Sequence, residues 1–272
     1  MDRNLKIGIV GLGLIGGSIF KALCALKCNI YAVSSSNCTL QKARHYSENI
    51  SKSLGILKNC DIVFVCTHIN KTPDILDKLE EVLPPSTIVA DVCSLKRFIT
   101  RKKHTYKFIP THPMAGTEFS GFDSSFETLF QGAKWILTPF EGTEDFDIRK
   151  VTDIIEVLGA NPISMSPNEH DEAVALVSHM PMLVSQAIFK TAQSNKIALK
   201  LASSGFRDMT RLALSNEEMA QDMIDLNSDN VQNSILKLYT SIGELLNKDY
   251  STQIRDIIKE RQVMYFDGHN IL

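Results

Sequence analysis

The residues of this chain able to do chemistry fall into four groups. Gly11, Gly13 and Gly16 stand in a GxGxxG arrangement, with Leu14 and Ile15 inside it and Gly17 directly after. Glycines at that spacing let a backbone turn tightly and approach a pyrophosphate, whose charge then sits at a helix N-terminus. The second group is Asp91, Ser94 and Lys96. There the Ser94 hydroxyl is suited to a substrate hydroxyl, in addition to capping the helix that follows. The third runs from Thr111 through His112 and Pro113 to Gly116, Thr117 and Glu118. Proline and a glycine turn hold the His112 imidazole on rigid backbone, as suits a general base near neutral pH. The competing reading is a histidine that only satisfies buried backbone groups. The fourth comprises Ser178, His179, Pro181 and Met182, then Ser203 to Arg211. Arg207 and Arg211, four apart with Asp208 between, match bidentate recognition of carboxylates from one helical face, or else a solvated charged surface.

These groups need elements to place them. Lys6–Val10 reads as an apolar strand feeding the glycine turn, and 18–23 continues as a helix, which is the confirming context for a dinucleotide-binding fingerprint. Asn29–Val33, Asp61–Cys66, Thr87–Asp91 and Tyr106–Ile109 read as further strands, with helical spacing over 72–83 and 95–103. Trp135–Thr138 and Pro162–Met165 read as late strands flanking a helix over 145–158. Such alternation predicts an α/β, Rossmann-type doubly wound sheet domain over 1–166. Over 167–272 a 3.6-residue period takes over, most clearly at 173–192 and 224–246, and predicts an all-helical domain. The crevice between two such domains is the expected substrate site. Ser34, Ser35, Ser36 and Thr67 fall just past strand ends, where open α/β sheets bind ligands.

Composition narrows the classes. With 272 residues and 44% apolar content, the chain can hold a Rossmann-type domain plus a smaller partner. A formal charge of -2 gives no reason to expect nucleic acid or an anionic membrane. The first strand starts by about Leu5, too early for a targeting peptide, and no uninterrupted apolar run reads as a membrane span. Six cysteines without CxxC pairs suggest reduced thiols, no metal site and a cytoplasmic setting. Apolar helical stripes beyond what one small domain buries predict a homodimer through the helical half.

Taken together, Gly11 to Ser18, Asp91 to Lys96, His112 to Gly116, Glu169 to Asp171, Ser178 to Pro181 and Ser203 to Arg211 resemble the prephenate/arogenate dehydrogenase family of tyrosine biosynthesis. The likeness runs nearly end to end and favours the short cyanobacterial-type arogenate dehydrogenases. It implies oxidative decarboxylation, with hydride passing to a nicotinamide cofactor and His112 taking or sharing the proton of the 4-hydroxyl. Ser94 would orient that hydroxyl or His112, and Arg211 would hold a substrate carboxylate. Asp171, Ser178, His179 and Asp208 match positions that shape the pocket, and Glu118 matches an acidic position present in many members. Many prephenate-using members read S-H-L-P-H, whereas this chain has Met182 at the last position. Arogenate is therefore expected over prephenate. Strand two is followed by neutral Ser34 to Asn37 instead of an acidic residue, so NADP is expected over NAD. The alternatives are a prephenate dehydrogenase and, more remotely, a non-catalytic dinucleotide sensor.

Overall fold

The computed structural model describes residues 4–117, 119–247 and 250–266. Two compact units divide it: Met1–Glu172 with Leu214–Leu226, and Ala173–Ala213 with Asn227–Leu272.

The first unit is built on β1 (Lys6–Val10), α1 (Leu14–Ala25), β2 (Asn29–Val33), α2 (Asn37–Ala43), β3 (Ile50–Ser51), β4 (Ile62–Val65), α3 (Thr72–Glu80), β5 (Ile88–Asp91), α4 (Lys96–Ile99) and β6 (Lys107–Phe108). The six strands form one parallel sheet in the order β3-β2-β1-β4-β5-β6. Every residue of β4 and β5 is buried, as helix-covered parallel strands require. α3 ends at Glu80, ahead of Pro84, and α4 is a single turn, much shorter than its helical spacing predicts.

The later strands do not extend this sheet. β7 (Thr111–Pro113), β8 (Lys134–Leu137) and β9 (Asn161–Ser164) make a second, three-stranded sheet, with β7 antiparallel and β9 parallel to β8. His112 thus lies within a strand, opposite Ile136, and not in a loop beyond one. Pro113 is tolerated because β7 is an edge strand. α5 (Asp145–Val157) joins β8 to β9, and its buried Val151, Ile154 and Ile155 share one core with Trp135, Phe64 and Ile109.

Ser166 and Glu169 then cap each other: Ser166 N–H donates to Glu169 Oε2 at 2.8 Å, and Glu169 N–H to Ser166 Oγ at 3.2 Å. This reciprocal box, with Pro167 in the first turn, starts α6 (Pro167–Val174). The backbone N–H of Ser166 holds the Glu169 carboxyl below its usual range. As a compact unit the α/β body includes the first turns of α6 and runs to Glu172.

In the second unit a π-helical segment, Ala175–His179, leads without a break into α7 (Met180–Gln193), and this π turn accommodates Pro181, which has no N–H to give the preceding turn. The run Pro167–Gln193 is one helix long and apolar enough by composition to cross a membrane, but Ser178, His179, Ser185 and Gln186 interrupt it, so it holds no uninterrupted apolar span. Its early turns carry Glu169, His170, Asp171 and Glu172. α8 (Lys196–Lys200), α9 (Ser204–Met209), α11 (Ser228–Asn247) and α12 (Tyr250–Phe266) complete this unit. α10 (Glu217–Leu226) packs with the α/β unit, where Asn70 Nδ2 donates to Glu218 Oε1 at 3.0 Å. The period over 224–246 is accordingly broken at Asn227 between two helices.

Two glycines of the first turn separate folding from ligand approach. A Cβ on Gly16 would lie 2.0 Å from the Gly11 carbonyl oxygen and 2.8 Å from Cys66 Cβ, whereas one on Gly13 meets nothing within 4 Å. Gly16→Ala is expected to destabilise the protein by about 3 kcal/mol or more. Gly13→Ala should stay within about 0.5 kcal/mol. Urea denaturation of the two variants checks the contrast.

Candidate active site

The glycine turn begins where β1 ends. Gly11 adopts φ +93° and donates its N–H to the Val33 carbonyl at 2.8 Å, which ties the turn to the end of β2. Gly16 packs against Gly11 and Cys66, so it is the glycine that brings α1 close to the sheet, while Gly17 makes room for Ser125. Open space over Gly13 at the start of α1 is the cradle that a pyrophosphate needs, flanked by half-buried Leu14 and Ile15. Beyond β2, Ser34 Oγ accepts the Ser36 N–H at 3.3 Å and Ser36 Oγ accepts the Thr39 N–H at 3.2 Å. Both hydroxyls keep a proton to donate, and Ser35 is exposed beside them. Thr67, past β4, hydrogen-bonds Thr72 Oγ1 at 2.8 Å.

At the other half of the sheet's C-terminal edge lies a fully buried ion pair. Lys96 Nζ sits 2.5 Å from Asp91 Oδ2, both side chains at 0% exposure. The ammonium also donates to the Thr111 carbonyl at 2.5 Å. Asp91 in turn accepts the N–H of Cys93 at 2.8 Å and of Thr111 at 3.1 Å, so one carboxylate fixes the end of β5 and the start of β7. Thr111 Oγ1 donates to the Asp91 carbonyl at 2.6 Å and accepts from Trp135 Nε1 at 2.9 Å. Burial pushes the neighbouring Cys93 and Cys66 thiols well up, which keeps them protonated and non-nucleophilic.

His112 follows Thr111 directly. Its Nδ1 lies 2.9 Å from His170 Nε2, and His170 Nδ1 lies 2.7 Å from Asp171 Oδ1. His170 and Asp171 are buried, and His112 is half-buried. Asp171 also accepts the backbone N–H of Lys96 at 2.8 Å and of Arg97 at 2.9 Å. This corrects the expected cap of α4. Leu95 occupies the N-cap position with no side-chain bond, and the carboxylate of Asp171, from α6, caps the turn instead of Ser94. Ser94 is half-buried on the bend between β5 and α4. Gly116 has no left-handed φ, so Pro113 and the β7–β8 pairing, not a glycine turn, hold His112 in place.

The second unit holds the other predicted residues. His179 is buried in the π segment, with Nδ1 3.3 Å from Asn227 Nδ2, and Ser178 beside it is half-buried. Met182 is buried in the first turn of α7. The paired-arginine reading fails: α9 stops at Met209, Thr210 donates its hydroxyl back to the Phe206 carbonyl, and Arg211 begins a separate 3-10 turn. Arg207 pairs with its neighbour Asp208 at 3.7 Å, and both are exposed, as are Arg211 and Ser203 to Gly205. Glu118 lies outside the described residues. Ligand atoms of Asp77, Glu80 and His104 lie within 4.8 Å of one another, and Lys102 Nζ donates to Asp77 at 2.7 Å and already supplies a cation there.

Comparison with known proteins gives this geometry its family. The family model described as the prephenate dehydrogenase nucleotide-binding domain matches residues 22–164, and that of the prephenate dehydrogenase dimerization domain matches 166–260. The chain belongs to the prephenate dehydrogenase family. Among solved structures of this family, Synechocystis arogenate dehydrogenase is 32% identical with a TM-score of 0.82, covering 98% of this chain and 100% of its own. The prephenate dehydrogenase from A. aeolicus, in complex with hydroxyphenyl propionate and NAD+, is 27% identical with a TM-score of 0.82 over 97% of this chain and 98% of that one. The Bacillus subtilis prephenate dehydrogenase is 29% identical over 241 residues. That match takes in 82% of this chain and 64% of the Bacillus protein, so the chain spans about two thirds of that relative's length.

Within this family member, one side chain of the site escaped prediction from residue types. His170 is a lone histidine 58 residues from His112, and only the Glu169-His170-Asp171 stretch of the family likeness pointed near it. Lys96 belongs to the Asp91-to-Lys96 motif, but nothing in that motif signals its burial against the Thr111 carbonyl. Replacing it tests the node. Lys96→Met leaves the Asp91 carboxylate buried and unpaired, and is expected to cost about 3–5 kcal/mol. Adding Asp91→Asn to it should recover part of that loss in the same denaturation assay.

Proposed function

We propose that this chain catalyses the oxidative decarboxylation of arogenate, with NADP as hydride acceptor. The observation that carries the reaction class is His112, held by strand pairing and by His170 in the same compact unit as the glycine turn. The open cradle over Gly13 and the donor hydroxyls of Ser34 and Ser36 fit a dinucleotide phosphate. Bound there, a nicotinamide dinucleotide supplies the acceptor for hydride from the ring carbon bearing the 4-hydroxyl. His112 takes the hydroxyl proton as the carbonyl forms, and the ring carboxylate leaves as CO2 to give an aromatic product. Ser94, on the bend before α4, orients the hydroxyl. Arg211 holds a substrate carboxylate, and Ser178, His179 and Asp208 shape its surroundings; Glu118 is an acidic candidate. Replacing His112 with Asn should lower turnover by roughly 10²–10⁴-fold. A correctly folded variant with near-wild-type turnover would refute the assignment.

NADP is favoured because no carboxylate follows β2 to repel a 2′-phosphate. The helical unit leaves Leu201, Leu236, Tyr239 and Leu246 exposed, which suits burial against a second copy, in line with its match to a dimerization domain. Arogenate is favoured by Met182. Its thioether offers neither donor nor charge to the oxygens of a keto-acid side chain. A polar group left unpaired costs about 1–3 kcal/mol, or roughly 5–150-fold in discrimination. Steady-state rates with arogenate and prephenate, each with NADP and NAD, test the proposal. The highest kcat/KM is expected for arogenate with NADP, and Met182→His should raise prephenate use relative to arogenate. A native preference for prephenate, or for NAD, overturns the corresponding assignment.

A further inference from the structure

The contacts around His112 have a direction, and it starts at Asp171. Two backbone N–H groups, of Lys96 and Arg97, point at its two carboxylate oxygens, and a backbone N–H can only donate. Asp171 Oδ1 therefore stands as an acceptor toward His170 Nδ1, 2.7 Å away. The neutral His170 ring that donates from Nδ1 keeps its lone pair on Nε2. That lone pair faces His112 Nδ1 at 2.9 Å, so His112 Nδ1 must carry the hydrogen of this contact. By valence, the lone pair of neutral His112 then falls on Nε2. We propose that His170 is a positioning residue: relayed from Asp171, it sets the Nδ1–H tautomer of His112 and presents Nε2 as the basic atom. Resting on His112 as the base, this adds which of its nitrogens takes the proton and which side chain decides it.

The same chain of contacts suits the protonated state. When His112 gains a proton on Nε2, its Nδ1–H remains on His170 and the positive ring is held two contacts from the Asp171 carboxylate. No proton needs to cross to His170. The arrangement is also rigid: Asp171 is fixed to the start of α4, His170 lies in the capped first turns of α6, and His112 is in a paired strand. Residues 96, 111, 112, 170 and 171 form a closed circuit, since the Lys96 side chain holds the Thr111 carbonyl while its N–H holds Asp171. A base held in such a circuit loses little freedom when it meets substrate.

The test uses the intact protein labelled with 15N-histidine, with the His112 signals assigned by their loss in His112→Asn. Long-range 1H–15N correlation above the titration of His112 should show a protonated Nδ1 and an unprotonated Nε2 on both His112 and His170. Finding the hydrogen of His112 on Nε2 overturns the proposal, whatever reaction the protein catalyses. Function is read with two variants at His170. His170→Leu removes the acceptor for His112 Nδ1–H and should lower kcat about 10–100-fold, as loss of an orienting partner behind a working histidine does, with little change in dinucleotide binding. His170→Gln supplies an amide oxygen toward His112 and an amide N–H toward Asp171, and should return kcat to within about 5-fold of wild type with the His112 tautomer restored. If His170→Leu keeps wild-type kcat, or His170→Gln folds with the tautomer restored yet is as slow as Leu, the positioning role is wrong. Should Leu not fold, the wild-type tautomer and the Gln variant decide alone. An inactive protein with the expected tautomer would instead count against the proposed reaction and leave the tautomer assignment standing.

Discussion

A buried lysine–aspartate pair governs the α/β unit at the point where chemistry would occur. Lys96 and Asp91 have no solvent to share their charge with, so their mutual bond and their bonds to Thr111 and Cys93 carry the whole cost of burial. An apolar pair would fill the same volume, but it would not set direction. The ammonium needs acceptors and finds the Thr111 carbonyl; the carboxylate needs donors and finds the Thr111 N–H. Both requirements pin the residue before His112. The second sheet, with its antiparallel β7–β8 pairing, fixes the residue after it. The candidate base thus has little backbone freedom left.

α6 enters through the same node. α6 begins with a capping box whose register puts His170 and Asp171 one turn later, and Asp171 closes the N-terminus of α4. α4 is one turn long, too short to persist by its own propensity, so a carboxylate on its first N–H groups matters more than it would on a long helix. Tertiary structure, not local sequence, supplies that cap.

What was legible in the sequence divides along this line. The glycine turn could be read because its demands are local: a positive φ at Gly11 and no room for a Cβ at Gly16. The strands β1, β2, β4 and β5 announced themselves by continuous apolar runs. Partnership did not. β8 and β9 look like strands in either sheet, and only the antiparallel return of β7 places them in the second. Ser94 obeys the local rule for a cap and is displaced by a carboxylate 77 residues further on. Arg207 and Arg211 have helical spacing, but spacing does not say that a helix continues, and Thr210 ends it. His170 has no local signature, since its meaning comes from a partner on a distant strand, β7.

The double duty of Asp171 has a consequence for how copies of such a gene diverge. A descendant released from catalysis would still need a carboxylate there to begin α4, so selection for foldability alone would retain it. The imidazole of His170 has no comparable hold: its side chain bonds only toward His112 and Asp171 among the described contacts. In a set of homologous sequences, an aliphatic residue in place of this histidine beside a retained aspartate would mark proteins that kept the architecture and lost the relay to His112.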